Sequence, residues 1–102
     1  MNKLKNPVND ALFEAFLKLE TLEECYAFFE DICTFKEIDA MAARLEAAKL
    51  LDKGNTYEEI LKKINISSST LSRVSKAFKY GTGGYKLIID RIEINKLQRL
   101  RK

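Results

Sequence analysis

Three times in 102 residues a threonine is followed three places later by a glutamate: Thr21 with Glu24, Thr34 with Glu37, and Thr56 with Glu59. Each pair is a capping box, in which the hydroxyl oxygen accepts from an orphan N–H of a helix's first turn and the carboxylate reaches back to the cap's own N–H. Three helix starts are thereby fixed. Asn6-Pro7 supplies a fourth, with asparagine as the cap and proline at the first helical position, where its missing N–H costs nothing. Gly54, just past the third segment, suits a left-handed terminator. These signals predict helices over 7–19, 22–33, 35–53 and 57–64.

The apolar residues fall at helical spacing within those segments. Val8, Leu12, Ala15, Phe16 and Leu19 make one stripe, and Cys25, Phe28, Phe29 and Ile32 a second. Ile38, Met41, Ala42, Leu45, Ala48 and Leu51 make a third. Strand-like alternation is nearly absent, so the expected class is all-α. After Tyr80-Gly81, the run Thr82-Gly83-Gly84 breaks the chain, and a last helix is expected from Tyr85, with Leu87, Ile88, Ile89 and Ile92 toward a core. The basic stretch 94–102 reads as a tail that frays without a partner.

A hydrophobic share of 46% is that of a globular protein, and the length is that of one domain, 1–102. So short a chain buries a modest fraction of its surface, which favours pairing with a second copy. There is no histidine and no C-x-x-C, so neither a zinc site nor the commonest general base is available. Cys25 and Cys33 are separated by about 12 Å along a helix at ~1.5 Å per residue, too far for a disulfide, and read as small core residues. No constellation of carboxylates favours catalysis, so no enzyme is expected. Residues 1–6 are polar and basic with no long apolar run behind them. No signal peptide or membrane span is expected, and a cytoplasmic protein is.

Charge is uneven. Residues 1–66 carry nine Lys/Arg against thirteen Asp/Glu, a net of −4, whereas 67–102 carry nine against Asp90 and Glu93, a net of +7. An acidic body with a basic end is the electrostatic footprint of a nucleic-acid binder, though a solvated basic tail gives the same asymmetry.

The change of sign coincides with a helix-turn-helix pattern over Thr56 to Phe78. Ile60, Leu61 and Ile64 point the first helix inward; Asn65 is expected to take the left-handed turn conformation, Ile66 to pin the turn, and Ser67 to cap the second helix. Leu71, Val74 and Phe78 form the inner face of that second helix. Its other face offers Ser68, Ser69, Thr70, Ser72, Arg73 and Lys76. Short hydroxyls near the N-terminus let a helix approach phosphates and base edges, and a cation one or two turns on can neutralise the backbone or contact guanine. Four hydroxyl residues are poor helix formers for a merely solvated surface. Lys62, with Lys63, supplies charge from the first helix. The expectation is double-stranded DNA as partner; the competing reading is a dimeric helical interaction module that does not read DNA.

With Ala43-Arg44-Leu45, Leu50-Leu51-Asp52-Lys53-Gly54 and Ile66-Ser67-Ser68-Ser69-Thr70-Leu71-Ser72-Arg73 in this order of helices, the sequence resembles the tryptophan repressor family, in its YerC/YecD-like branch, over residues 8–92. The resemblance implies a six-helix fold, an intertwined homodimer, and a transcriptional repressor reading a palindromic operator, in the family's setting of amino-acid biosynthesis genes. It further implies a ligand site at Thr34, Arg44 and Arg73. Val74 stands where tryptophan-binding members carry glycine, and Ala77 replaces a hydroxyl. A valine fills the slot for a flat indole, so the expectation is no tryptophan cofactor: DNA binding without ligand, or with a different, smaller one.

Overall fold

The computed structural model describes residues 2–100, and every regular element among them is a helix. In chain order these are α1 (Pro7–Phe16), α2 (Leu22–Ile32), α3 (Phe35–Asp52), α4 (Tyr57–Lys63), α5 (Ser68–Tyr80) and α6 (Gly84–Leu100). The chain divides into two compact units, one up to Ile38 and one from Asp39 onward.

The predicted caps form. Asn6 accepts from the N–H of Asn9 at 2.8 Å with Pro7 beginning α1. At α3, Glu37 N–H donates to Thr34 Oγ1 at 3.1 Å while Thr34 N–H donates to Glu37 Oε1 at 2.8 Å. The same reciprocal pair joins Thr56 and Glu59 at 3.2 and 2.9 Å. The box at Thr21 is shifted: Thr21 accepts from Glu24 N–H, but the Glu24 carboxylate takes the N–H of Glu20, one residue ahead of the cap. At the end of α3, Gly54 has φ +91°, Gly54 N–H donates to Leu51 O, and Asn55 N–H donates to Leu50 O, both at 3.0 Å. This paired closure is a Schellman motif, and its left-handed residue is the position where glycine carries no Cβ penalty.

Three expectations need correction. Helix α1 ends at Phe16 rather than near residue 19: Leu17 N–H makes the last i→i−4 bond, to Phe13 O, and the N–H groups of Lys18 and Leu19 bond back only three residues, to Ala15 and Phe16, in a tighter turn. Asn65 is not left-handed, since no residue but glycine has positive φ among those described; the turn before α5 is instead extended, with Ile64 at φ −134°, ψ 157°. Helix α6 begins at Gly84 and remains helical to Leu100; the last two residues of the expected tail, 101–102, lie outside the described residues.

The core lies in the second unit. Ala47 and Ala48 of α3, Ile60 of α4, Leu71 and Val74 of α5, and Ile89 of α6 are buried together, with Leu45, Ile64, Phe78 and Tyr85 packed around them. The register of α6 differs from expectation: Ile89 is buried and Ile92 half-buried, while Leu87 and Ile88 are exposed.

The first unit is organised differently. Phe16 stacks on Phe29 at 5.0 Å between ring centroids and meets Phe13 and Phe28 edge-on at 6.0 and 5.9 Å. Yet neither α1 nor α2 contains a buried residue. Val8 is 79% and Phe13 49% exposed, and Leu17, Leu22, Tyr26, Ile32 and Phe35 are exposed as well. The apolar stripes exist, but packing within this unit does not bury them. Cys25 and Cys33 are likewise free and only half-buried.

Candidate nucleic-acid interface

Helices α4 and α5 are joined by the short connection 64–67 and pack through Ile60, Leu71 and Val74. The start of α5 is heavily hydrogen-bonded. Ser67 Oγ accepts from Thr70 N–H at 3.2 Å, donates to Thr70 Oγ1 at 2.9 Å, and lies 3.3 Å from Ser69 Oγ. This ties a serine-rich first turn, otherwise a poor helix former, into one conformation.

Leu71, Val74 and Ser75 are the buried residues of α5. At about 100° per residue they define one face, and Ser69, Ser72, Arg73 and Lys76 cover the opposite one. Ser68, Ser69, Ser72, Arg73 and Lys76 are all exposed. Thr70 is half-buried: its hydroxyl is engaged with Ser67, and its side chain lines clefts behind the helix rather than the outer face.

Among the described residues, Lys62, Arg73, Lys76 and Lys79 form no ion pair, leaving their charge available to an anionic partner. Lys79, exposed in the last turn of α5, extends the cationic face beyond what the hydroxyl-rich motif suggested. Lys63 is instead occupied. Its ammonium donates to Asn55 Oδ1 at 2.8 Å, and Asn55 Nδ2 donates to Leu50 O at 3.0 Å, stapling the end of α3 to the end of α4. Glu59 is held in the capping box; the Thr56 backbone N–H, then its hydroxyl, keep the carboxyl below its ordinary value, so it stays ionised at neutral pH. Lys86 is removed from the cationic surface by Asp52 at 3.0 Å and Asp90 at 3.3 Å, which raise its pKa, Asp52 foremost.

Behind α5 lies a cleft of about 310 Å³ lined by Arg44, Thr70, Arg73, Val74, Ala77 and Tyr85. Two of the expected ligand residues, Arg44 and Arg73, thus come together with Val74, and neither guanidinium has an acidic partner among the described residues. Val74 is only 3% exposed and belongs to the core, so its methyls fill space against α3 and α4. Thr34 lies in the first unit, where its hydroxyl caps α3. The sequence gives no sign of Tyr85 as a cleft residue; the glycines before it signal only a helix start. The described residues contain no cluster of three or more His, Cys, Asp or Glu able to hold a metal ion, and no helix long and apolar enough to cross a membrane.

Residues 8–93 match the model of the Trp repressor protein family. The uncharacterized Bacillus subtilis protein YerC is 43% identical over 93 residues, spanning 91% of this chain and 89% of YerC. A crystal structure of a candidate Trp repressor from Staphylococcus aureus superimposes with a TM-score of 0.86 at 42% identity, covering 90% of this chain and 92% of that one. A TrpR-like protein from Eubacterium eligens gives the same TM-score and identity, with 91% and 96% coverage. With six helices, a shared sequence and a shared fold, this chain belongs to the Trp repressor family, in its YerC-like branch.

Proposed function

We propose that the chain is a sequence-specific DNA-binding regulator that works as a homodimer and represses by occupying a palindromic operator. The observation that carries this reading is the outer face of α5. It presents exposed Ser69, Ser72, Arg73 and Lys76 opposite a buried Leu71–Val74–Ser75 face, with Ser68 exposed at the helix's first residue but on the side of Ser75, and no acid is paired to its cations among the described residues. In the helix-turn-helix mode the second helix enters the major groove, where serines allow close approach and Arg73 and Lys76 contact base edges or phosphates. Thr70 serves by holding the first turn in place. Lys62, on α4, meets the phosphate backbone that the first helix crosses.

The dimer follows from the first unit. Two helices with no buried residue expose Val8, Phe13, Leu17, Tyr26 and Ile32, and exposed apolar surface gathered in this way is what a protein partner covers. A second copy covers it, giving two α5 helices related by two-fold symmetry and half-sites about one helical turn, ~34 Å, apart. In this reading binding needs no tryptophan, because Val74 stands in the wall of the Arg44–Arg73 cleft, where tryptophan-binding members carry glycine.

Selection from a random duplex library by the purified chain, with and without an amino-acid mixture, tests the reading. Enrichment of a palindrome in both arms is expected. Enrichment of nothing, with binding that depends only on salt, overturns it.

A further inference from the structure

A second cleft of about 360 Å³ adjoins the one behind α5, walled by Leu45, Ala77, Gly81, Tyr85 and Ile88 among others. Ala77 and Tyr85 line both clefts, which puts Tyr85, at the start of α6, where the two clefts adjoin. This space matters because α5 is anchored unevenly. Its buried residues, Leu71, Val74 and Ser75, all lie in its first eight positions, and only Phe78 is half-buried beyond them. Ala77 offers a single methyl to the cleft. At Gly81 a Cβ would come within 2.4 Å of Ala77 O, so nothing bulkier can stand there. Besides Phe78 of α5 itself, Tyr85 is the large side chain beside this half of α5: it is half-buried, packed on the core cluster, and lines both clefts together with Ala77.

We infer that Tyr85 is a positioning residue for DNA recognition: from its place between the two clefts its ring braces the C-terminal half of α5, which has few buried residues of its own. The inference rests on the reading of α5 as the DNA-contacting helix. A helix that must present several side chains to base edges at once loses affinity when its mounting is loose, because each ordering event is then charged to binding. Removing the ring joins the two clefts into one partly apolar space of the kind that takes up a small aromatic molecule.

The test compares wild type, Tyr85→Phe, Tyr85→Leu and Tyr85→Ala on the selected operator and on random duplex, at 10 °C and well below each variant's melting transition. Tyr85→Phe is expected within about twofold of wild type. Tyr85→Ala is expected to lose about tenfold or more on the operator with little change on random DNA, since loss of positioning removes base contacts before phosphate contacts. Millimolar 4-methylphenol is expected to restore most of the lost operator affinity in Tyr85→Ala and to leave wild type unchanged. Should Tyr85→Ala fail to fold, Tyr85→Leu, which keeps apolar bulk without the ring, is read in its place with the same expectation and a smaller loss. A folded Tyr85→Ala or Tyr85→Leu that keeps the wild-type ratio of operator to random affinity overturns the inference, as does a loss that 4-methylphenol leaves untouched. A wild-type chain with no operator preference overturns the DNA reading itself, a result distinct from a wild type that binds and a Tyr85 variant that binds equally well.

Discussion

Truncating Val74 to alanine measures both the packing of the helix-turn-helix and the closure of the cleft behind it. The side chain is 3% exposed and packs among Ala47, Ala48, Ile60, Leu71 and Ile89. Removing two methyl groups forfeits about 0.8 kcal/mol each in transfer free energy, with a further contribution from any cavity that does not collapse. Against this, alanine is the better helix former by about 0.5 kcal/mol. Burial wins, and the net loss is about 2 kcal/mol. Urea unfolding followed by far-ultraviolet circular dichroism is the assay. At a slope of about 2 kcal/mol per molar urea, the midpoint falls by about 1 M with the slope itself unchanged. Val74→Gly is expected to cost about 1 kcal/mol more, through glycine's poor helix propensity. Of the two Val74 variants only the glycine opens room for an indole, so millimolar L-tryptophan should raise its melting temperature while leaving wild type where it was. An unchanged midpoint for Val74→Ala, or wild-type chain stabilised by tryptophan, refutes the argument that valine plugs this site.

Other expectations rest on single contacts. Ser67→Ala removes the cap of α5 and is expected to lower stability by about 1 kcal/mol in the same unfolding assay. Arg73→Ala and Lys76→Ala should each flatten the slope of log affinity against log salt by about 0.9, the value for one phosphate contact, in a titration by fluorescence anisotropy; a residue that reads only a base leaves the slope intact. The Thr56 and Thr34 N–H groups lower the pKa values of Glu59 and Glu37 below 4.5. Their contribution to stability is therefore present above pH 4.5 and lost as pH falls through the lower folded-state values, and Glu59→Gln should flatten that acid limb. Lys86 is shifted the other way, above 10.5, by Asp52 and Asp90. Its contribution is present below pH 10.5 and lost above it, so Lys86→Met should flatten the alkaline limb of the same stability profile.

What the sequence made legible was local chemistry. Thr34, Thr56, Asn6-Pro7 and Gly54 each satisfy a helix end by a bond within a few residues, so their roles are visible without the fold. The outward hydroxyl and cationic face of α5 is legible for a related reason: once Leu71 and Val74 set the inner face, 3.6-residue geometry sets the outer one. The discrepancies arise where distant groups decide. Leu87 and Ile88 look as apolar as Ile89, and only the packing of α6 on α5 selects Ile89 for burial. Thr70 matches its serine neighbours in composition, yet the Ser67 hydroxyl draws it into the cap. Lys63 and Lys62 are adjacent cations, and Asn55, eight residues away from Lys63, occupies one of them. Tyr85 is the largest omission, because its place between two clefts depends on α3, α5 and α6 together.

Cleavage of DNA from a fixed point on α5 tests the central claim most directly. With Cys25→Ser and Cys33→Ser, a Tyr80→Cys substitution at the exposed C-terminal end of α5, beyond the groove-facing serines, can carry an iron chelate that cuts nearby strands in the selected duplex. The account predicts two short cleavage patches, symmetric about the centre of the palindrome, spaced about one helical turn and offset as for a major-groove reagent. Dispersed cutting along the whole duplex, or patches that persist unchanged when the chelate is moved to Glu23 on α2, would contradict it.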